Sequence, residues 1–343
     1  MTKTQKLHSV QKTQRQTLKN KLILGCHISI RPSILDGIKY LQSINGNALQ
    51  IFLGNNRSAS LKTKTKLTET EMLNIKTYIH TNNITLIIHS IYLLNFCSAM
   101  PNSGRVKYMH DNIQYDLKYG ALLGAKCVVL HLGFKKDLEP SIAMQNLIAN
   151  IIHIIKEMPS GIKLALETSA GQGSQMGYKL EELAEIWNGI KHFGKKQVGI
   201  CIDTAHIFVS GYDISNPTGI ADYLDKFNKL IGWSNITNFH INDSRYPLGS
   251  RKDEHRGLGQ GLIYHSSLRA RATHICKSSL QVQALKYIKT FCQKRNIPMI
   301  LETHGAGAIK KQKISNSNNS HSHSHIDNDR HGYKWEINLI RKL

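Results

Sequence analysis

The 343-residue chain lacks several features that mark common protein classes. No apolar run approaches the roughly 20 residues that a membrane-spanning helix requires, and the longest candidate, 85–96, is interrupted by His89 and Ser90. The six cysteines have no CxxC spacing, and the N-terminus has no apolar segment of the secretory kind. These absences exclude a membrane-spanning protein and favour an intracellular chain, cytoplasmic or nuclear and not secreted, with reduced thiols.

Acidic residues are also scarce, since 23 Asp and Glu stand against 45 Lys and Arg and leave a net charge of +22. Such an excess favours a polyanionic partner, most often nucleic acid, although solubility or lysine-rich codon use would also produce it. No acid occurs before Asp36. We therefore expect residues 1–21 to be a disordered basic arm, and favour this over a transit peptide because arginine is rare there.

What the chain does contain is a repeated alternation of short apolar segments with segments of helical spacing. Helical spacing is clear in 141–158 and 180–192, and a last helix is expected over 333–343. Strands that alternate with helices pair in parallel, and eight such units close a (β/α)8 TIM barrel. We predict one α/β domain of this kind over 22–343. The eight apolar segments are 22–28, 48–53, 85–90, 127–133, 163–168, 198–204, 236–243 and 298–303.

Polar residues stand at the ends of the predicted strands, where the active site of such a barrel lies. Each has an ordinary explanation when taken singly, such as helix capping by Asp203 or a hydrogen-bonded lone histidine. Nine imidazoles and carboxylates on one rim are harder to explain in this way, because unpaired carboxylates are costly to bury together. The residues concerned are His89, His131, Glu167, Asp203, His206, His240, Asp253, His255 and Glu302, with His27 and Arg57 nearby.

Mixed nitrogen and oxygen ligands without thiolates suit catalytic zinc or manganese. Nine such ligands exceed what one ion takes and suffice for three ions. Several divalent ions side by side activate water and stabilise the attacking and leaving oxygens of a phosphoryl displacement. Together with the basic charge, this predicts hydrolysis of the phosphodiester backbone of DNA or RNA.

The motifs around these residues strongly resemble the endonuclease IV family of zinc-dependent abasic-site (AP) endonucleases. The resemblance covers about residues 22–343 and includes long, specific motifs in the family's order. The matching stretches are GCHIS (25–29), NNR (55–57), HSIYLLNF (89–96), LHLG (130–133), LETSAGQG (166–173), CIDTAHIFVSGYD (201–213), FHINDSRYPLGSRKDEHRGLGQG (239–261) and LET (301–303).

The resemblance implies three zinc ions, with manganese as an alternative at one site. Glu167 would bridge the first two ions, where the attacking hydroxide is held. The implied activity is hydrolysis on the 5′ side of abasic sites in double-stranded DNA during base excision repair. It would leave a 3′-hydroxyl and a 5′-deoxyribose phosphate, with 3′-end trimming as a side activity. The implied ligand groups are His89, His131 and Glu167; Glu167, Asp203, His240 and Glu302; and His206, Asp253 and His255.

Recognition of a missing base requires a bent duplex and side chains that fill the gap in the base stack. The resemblance assigns this to Arg57 after the second strand and to Tyr92 and Leu93 after the third. Without it, Arg57 would be interpreted as a surface charge, and Tyr92 and Leu93 as core residues of the next helix. His27 would contact DNA or only orient a neighbour.

Two insertions, like the basic arm, have no counterpart in the family pattern. Residues 265–280 carry Arg269, Arg271 and Lys277, from which we expect extra contact with DNA. Residues 309–331 are rich in Asn, Ser and His, and we favour a solvated loop over a metal-binding tract. Two alternative functions stay open: a metal-dependent sugar isomerase or epimerase on the same barrel, and a non-catalytic DNA-damage binder. The barrel is expected to act as a monomer.

Overall fold

The computed structural model describes residues 21–30, 32–194, 196–264, 278–303 and 332–343. Eight parallel strands form a closed barrel in which strand neighbours follow chain order, and β10 closes it against β1. The predicted TIM barrel is confirmed, and each of its strands lies within a predicted segment. The barrel strands are β1 (Leu24–His27), β2 (Ala48–Phe52), β3 (Thr85–His89), β4 (Cys127–His131), β5 (Lys163–Glu167), β6 (Val198–Asp203), β7 (Ile236–His240) and β10 (Met299–Leu301).

Helices surround the barrel, and a small antiparallel hairpin of β8 (Asp243–Ser244) and β9 (His255–Arg256) follows β7. The three predicted helices are confirmed as α4, α5 and α9. Within the ranges just given, no helix combines the length and apolar character needed to cross a membrane. The helices are α1 (Ile34–Ser43), α2 (Glu69–Thr81), α3 (Gly104–Leu123), α4 (Pro140–Glu157), α5 (Leu180–Gly194), α6 (Thr204–Val209), α7 (Pro217–Leu230), α8 (Leu280–Arg295) and α9 (Tyr333–Lys342).

Local sequence signals explain where several helices begin and end. Thr68 and Glu71 form a capping box at the start of α2, in which each side chain accepts a hydrogen bond from the other residue's backbone N–H. Pro140 and Pro217 lie in the first turns of α4 and α7, where a backbone N–H would have no partner within the helix and proline therefore loses no hydrogen bond. Helix α3 ends at Gly124, whose φ of 75° lies in the left-handed region that glycine tolerates.

Apolar side chains pack in two layers, which explains why the strand sequences are apolar without alternation. A large core lies between strands and helices. A smaller core fills the barrel interior, so the remaining space for chemistry is the rim at the carboxyl ends of the strands. The interior core consists of Ala48, Ile87, Cys127, Val129, Ala165, Cys201 and Ile300.

Three features of the sequence analysis lie outside the described residues. These are residues 1–20 of the basic arm, residues 265–277 of the first insertion with its three cationic side chains, and residues 309–331 with the His-Ser tract.

Candidate metal centre

The nine residues with ligand chemistry meet at the carboxyl rim of the barrel. Parallel pairing sets strand ends side by side, so that His131 is the register partner of Glu167 and Asp203 that of His240. Seven of the nine line a cavity of about 1230 Å³, and the other two, Asp203 and His240, are fully buried. Within the described chain, side-chain donor atoms cluster within 4.8 Å of one another in groups that match the first two implied ligand sets.

The first group joins β3, β4 and β5. The Nε2 atoms of His131 and His89 lie 2.9 and 3.3 Å from the same oxygen, Oε2 of Glu167. The Nδ1 atom of His89 lies 2.7 Å from the carbonyl oxygen of Ser90. Because a carbonyl oxygen only accepts hydrogen bonds, Nδ1 carries a proton, which leaves Nε2, on the side of Glu167, as the nitrogen available to a metal ion. This is the tautomer that binds a metal ion through Nε2.

The second group surrounds Nδ1 of His240. This nitrogen lies 2.9 Å from Oε1 of Glu167, 3.0 Å from Oε2 of Glu302 and 3.7 Å from Oδ2 of Asp203. The two oxygens of Glu167 therefore face different groups, Oε2 toward the first and Oε1 toward the second. A carboxylate placed in this way could serve two adjacent cations.

The third group lies between α6 and the β8–β9 hairpin. The Nε2 atoms of His206 and His255 lie 3.1 and 3.3 Å from the two oxygens of Asp253. The Nδ1 atom of His206 donates to the carbonyl of Thr168 at 2.7 Å, which frees Nε2 for a ligand. Oδ2 of Asp203 is 3.7 Å from Nε2 of His255, so Asp203 lies between the second and third groups. The resemblance had assigned Asp203 to the second group alone.

The electrostatics of these groups fit divalent cations. Burial raises the carboxyl pKa of Glu167, but His240 and His131 outweigh it and hold that pKa well below its usual range. Burial lowers the imidazole pKa of His206, but Asp203 and Asp253 outweigh it and raise that pKa well above its usual range. A buried pocket that raises the pKa of His206 and lowers that of Glu167 in this way is an anionic site that favours positive charge, and divalent ions bring the most.

Two buried amide side chains, which sequence reasoning missed, orient the candidate ligands. Gln50 of β2 accepts a hydrogen bond from Nε2 of His240 at 2.9 Å and donates to Oε1 of Glu302. Asn242 donates to Oδ2 of Asp203 at 2.6 Å and accepts from the backbone N–H of Glu302 at 2.9 Å. The available signal for Gln50 was a single polar residue in the otherwise apolar strand ALQIF.

Cys201 also lies near Glu167 and His240, but it does not offer a thiolate. Its sulfur accepts a hydrogen bond from Nδ2 of Asn238 at 3.0 Å. Burial raises the pKa of its thiol far above the usual range, so the group is neutral. Cys201 belongs to the interior core, and the expectation of ligands without thiolates agrees with this arrangement.

Of the four residues predicted to contact DNA, Tyr92 and His27 lie beside the candidate ligand groups. Arg57 is exposed in the loop after β2. Tyr92 and Leu93 are 47% and 45% exposed, which rules out their alternative interpretation as core residues of the next helix. The Tyr92 ring lies 5.6 Å from that of His89, measured between centroids. His27 lines the cavity, and its Nδ1 is 3.6 Å from Oε1 of Glu302, so it contacts a ligand residue directly.

Fold and site together define a TIM barrel with a histidine- and carboxylate-rich rim, and the chain matches the family model described as "Xylose isomerase-like TIM barrel" over residues 38–275. A protein of Campylobacter fetus subsp. fetus, "Probable endonuclease 4", is 35% identical over 245 residues, which cover 70% of this chain and 84% of that protein. The chain belongs to the endonuclease IV family.

Solved structures extend the similarity of fold. Endonuclease IV from Thermus thermophilus superposes with a TM-score of 0.64 at 24% identity, covering 82% of this chain and 91% of that one. A D-tagatose 3-epimerase-like protein superposes with a TM-score of 0.55 at 20% identity, covering 81% and 90%. At these identities the two similarities show a shared barrel fold, and they do not distinguish an endonuclease from a sugar epimerase.

Proposed function

We propose that this protein is a DNA repair endonuclease that hydrolyses the phosphodiester 5′ of abasic sites in double-stranded DNA with a three-zinc centre. The products would be a 3′-hydroxyl and a 5′-deoxyribose phosphate, with 3′-end trimming as a side activity. The observation that carries the proposal is the chain of three adjoining ligand groups, linked by Glu167 and by Asp203, beside an exposed Tyr92. The name of the Campylobacter relative and the net charge of +22 support it.

Divalent ions held by these groups would activate water and neutralise charge on the phosphate oxygens. Zinc suits the mixture of imidazole and carboxylate ligands, and manganese at one site is part of the proposal. The protein's own contribution is orientation. Glu167 presents one oxygen to each of two groups, and Gln50 holds the imidazole of His240 so that Nδ1 faces the carboxylates. The carbonyls of Ser90 and Thr168 fix two further imidazoles.

Lesion recognition follows from the apolar surface on the rim. Tyr92 and Leu93 are exposed on the loop after β3, with the Tyr92 ring beside His89, and an aromatic and an aliphatic side chain there could fill the space left by a missing base. Arg57 would contact the opened duplex from the neighbouring loop. His27 would act mainly through Glu302, with contact to DNA as its second role.

The sugar isomerase and the non-catalytic binder are less well supported. The third group of His206, Asp253 and His255 is complete, whereas sugar isomerases on this barrel need one or two ions. A binder without turnover would not need buried metal sites, which are costly to keep. All nine ligands come from one chain, which supports action as a monomer. The free, buried cysteines suit a reducing intracellular compartment, cytoplasmic or nuclear.

The proposal is tested by incision of a labelled duplex that carries one tetrahydrofuran abasic analogue. This analogue cannot undergo β-elimination, so any cut at it is hydrolytic. We expect the zinc-loaded protein to cut 5′ of the analogue, to leave a 3′ end that a polymerase extends, and to spare an undamaged duplex. Glu167→Ala should abolish the cut, and Glu139→Ala, a change at an exposed carboxylate, should not. No incision by protein of verified zinc content would refute the proposal.

A further inference from the structure

The loop that carries Arg57 is closed at its neck by backbone contacts. Gly54 and Lys64 form an antiparallel bridge, and the N–H of Thr65 donates to the carbonyl of Leu53 at 3.3 Å. Gly54 has a φ of 131°, and a Cβ there would meet the Lys64 backbone, so only glycine fits the neck. Within the loop, Oδ1 of Asn55 accepts from the N–H of Arg57 at 3.0 Å. The backbone of Arg57 is therefore fixed relative to the neck.

One face of helix α3 holds this loop through polar side chains. Nδ2 of Asn112 donates to the carbonyl of Ala59 at 2.8 Å, and the Tyr115 hydroxyl donates to the carbonyl of Thr65 at 2.7 Å. Between them, Nζ of Lys64 lies 2.6 Å from Oδ1 of Asp116. The three helix residues are spaced i, i+3 and i+4, so they share one face of α3.

The ion pair at the centre of this contact is buried, with side-chain exposures of 2% for Lys64 and 0% for Asp116. Burial raises the carboxyl pKa of Asp116 to about 6 even with Lys64 beside it, which shows how strongly the site is desolvated. Two buried charges are a poor means of stabilisation, because apolar residues of similar volume often serve as well or better. What the ion pair supplies instead is a defined geometry, since one lysine nitrogen meets one carboxylate oxygen at a fixed position.

The same loop also contacts the segment that carries Tyr92. The N–H of Tyr92 donates to the carbonyl of Asn56, next to Arg57, at 3.4 Å. A displacement of the loop would therefore move Arg57 and disturb Tyr92 together.

We propose that Lys64 and Asp116, supported by Asn112 and Tyr115, form an anchor that positions Arg57 for recognition of the abasic site. This inference rests on the proposed function, in which Arg57 contacts damaged DNA. The hydrogen bonds of the anchor side chains described above join the loop to α3 and do not involve the nine candidate ligands, so these are positioning residues. They determine how well the enzyme prefers a damaged duplex and leave the hydrolytic step unchanged.

The test replaces the pair with apolar residues of similar size, Lys64→Met together with Asp116→Leu, in the full zinc-loaded chain. The matched control is Lys107→Met with Asp111→Leu, which removes an exposed ion pair from the same helix. A second control, Lys62→Met, removes an exposed positive charge from the same loop. The measurements are Tm, and kcat and KM for the tetrahydrofuran duplex.

We expect the anchor variant to keep its Tm and kcat and to raise KM about tenfold, less than the roughly 100-fold that a 1 Å misplacement at a reacting centre can cost. Arg57→Ala should then raise KM much less in the anchor variant than in the wild type, because the two changes remove the same interaction with DNA. The Lys107 and Asp111 control should leave KM unchanged. The inference would be overturned if the anchor variant had the same KM as this control. It would also be overturned if the effects of the anchor substitutions and of Arg57→Ala on KM were fully additive.

Two further results keep the outcomes separate. If the apolar pair does not fold, Asn112→Ala removes one hydrogen bond to the loop without a buried charge and should raise KM in the same direction, and an unchanged KM there would overturn the inference. If the wild-type protein with verified zinc does not incise the tetrahydrofuran duplex, the proposed function fails and the inference fails with it. If the wild type incises and the anchor variants match it, only the anchor is wrong.

Discussion

Substitution of Gln50 tests how the protein orients its candidate metal ligands. The side chain is fully buried in β2. It accepts from Nε2 of His240 at 2.9 Å, lies 3.0 Å from Nδ1 of His27, and donates to Glu302. Gln50→Met keeps an unbranched side chain of similar length but removes these polar interactions. The imidazole of His240 then loses the partner that turns Nδ1 toward Glu167 and Glu302.

The expected magnitude follows from the hydrogen bonds that the substitution removes. A buried N–H on His240 left without an acceptor costs about 1–3 kcal/mol. Loss of a hydrogen bond behind a metal ligand typically weakens metal affinity about 10- to 100-fold, which corresponds to about 1.4–2.7 kcal/mol. We therefore expect a zinc affinity weakened to this extent at one of the three groups, with the other two unaffected.

The assay is competition for zinc between the stripped protein and a chromogenic chelator, followed by incision of the tetrahydrofuran duplex at saturating zinc. Incision by Gln50→Met should recover with added zinc, because the ligands themselves are intact. Gln42→Met, a change of the same kind on α1 away from the rim, serves as the control. Zinc binding within about twofold of the wild type, together with a lower Tm, would show that Gln50 only packs the barrel and would refute its role in orientation.

The remaining predictions concern pH, a shared ligand and the exposed rim. Burial lowers the pKa of His255, but Asp203 and Asp253 outweigh it and raise that pKa from 6.5 to about 9. In metal-stripped protein the protonated His255 therefore stabilises the fold. This contribution, up to about 3 kcal/mol, is full below the pKa of His255 in the unfolded chain and is lost as pH rises through its pKa in the folded protein. Zinc binds the neutral imidazole, so zinc-loaded protein should instead lose stability as pH falls; parallel Tm curves for stripped and loaded protein between about pH 6 and 9 would contradict this. Asp203→Asn should keep the cap of α6, because asparagine also caps the backbone N–H of His206. It should lower the zinc content at two groups, and a full complement by elemental analysis would count against its shared position. Tyr92→Ala should lower Tm only slightly, since the residue is 47% exposed, while KM for the tetrahydrofuran duplex rises about tenfold as gap filling is lost. An equal effect on an undamaged duplex would argue against lesion recognition.

Sequence reasoning succeeded where barrel geometry alone determines position. Every strand of such a barrel ends at the same rim, so His89, His131 and Glu167 had to lie together once their strands were recognised. The apolar strand segments were recognisable because both of their faces are buried.

Interactions that depend on how distant segments meet could not be found in this way. Gln50 is visibly polar within an apolar strand, but its partner His240 lies 190 residues further along the chain. Lys64 and Asp116 look like two ordinary surface charges until the loop and α3 are placed against each other. The exposure of Tyr92 depends on the path of the loop after β3, which no periodicity determines.

The second ligand group takes its side chains from β5, β6, β7 and the residue after β10, and Glu167 extends it to β3 and β4. The centre therefore cannot form until strands from most of the chain have assembled in order. Contacts of such long sequence separation form late and slowly during folding. A bound ion would stabilise only the completed barrel, so chelation should accelerate global unfolding and leave early folding unchanged. Metal binding at the rim would therefore require a completely folded barrel, and activity would be confined to chains that have finished folding.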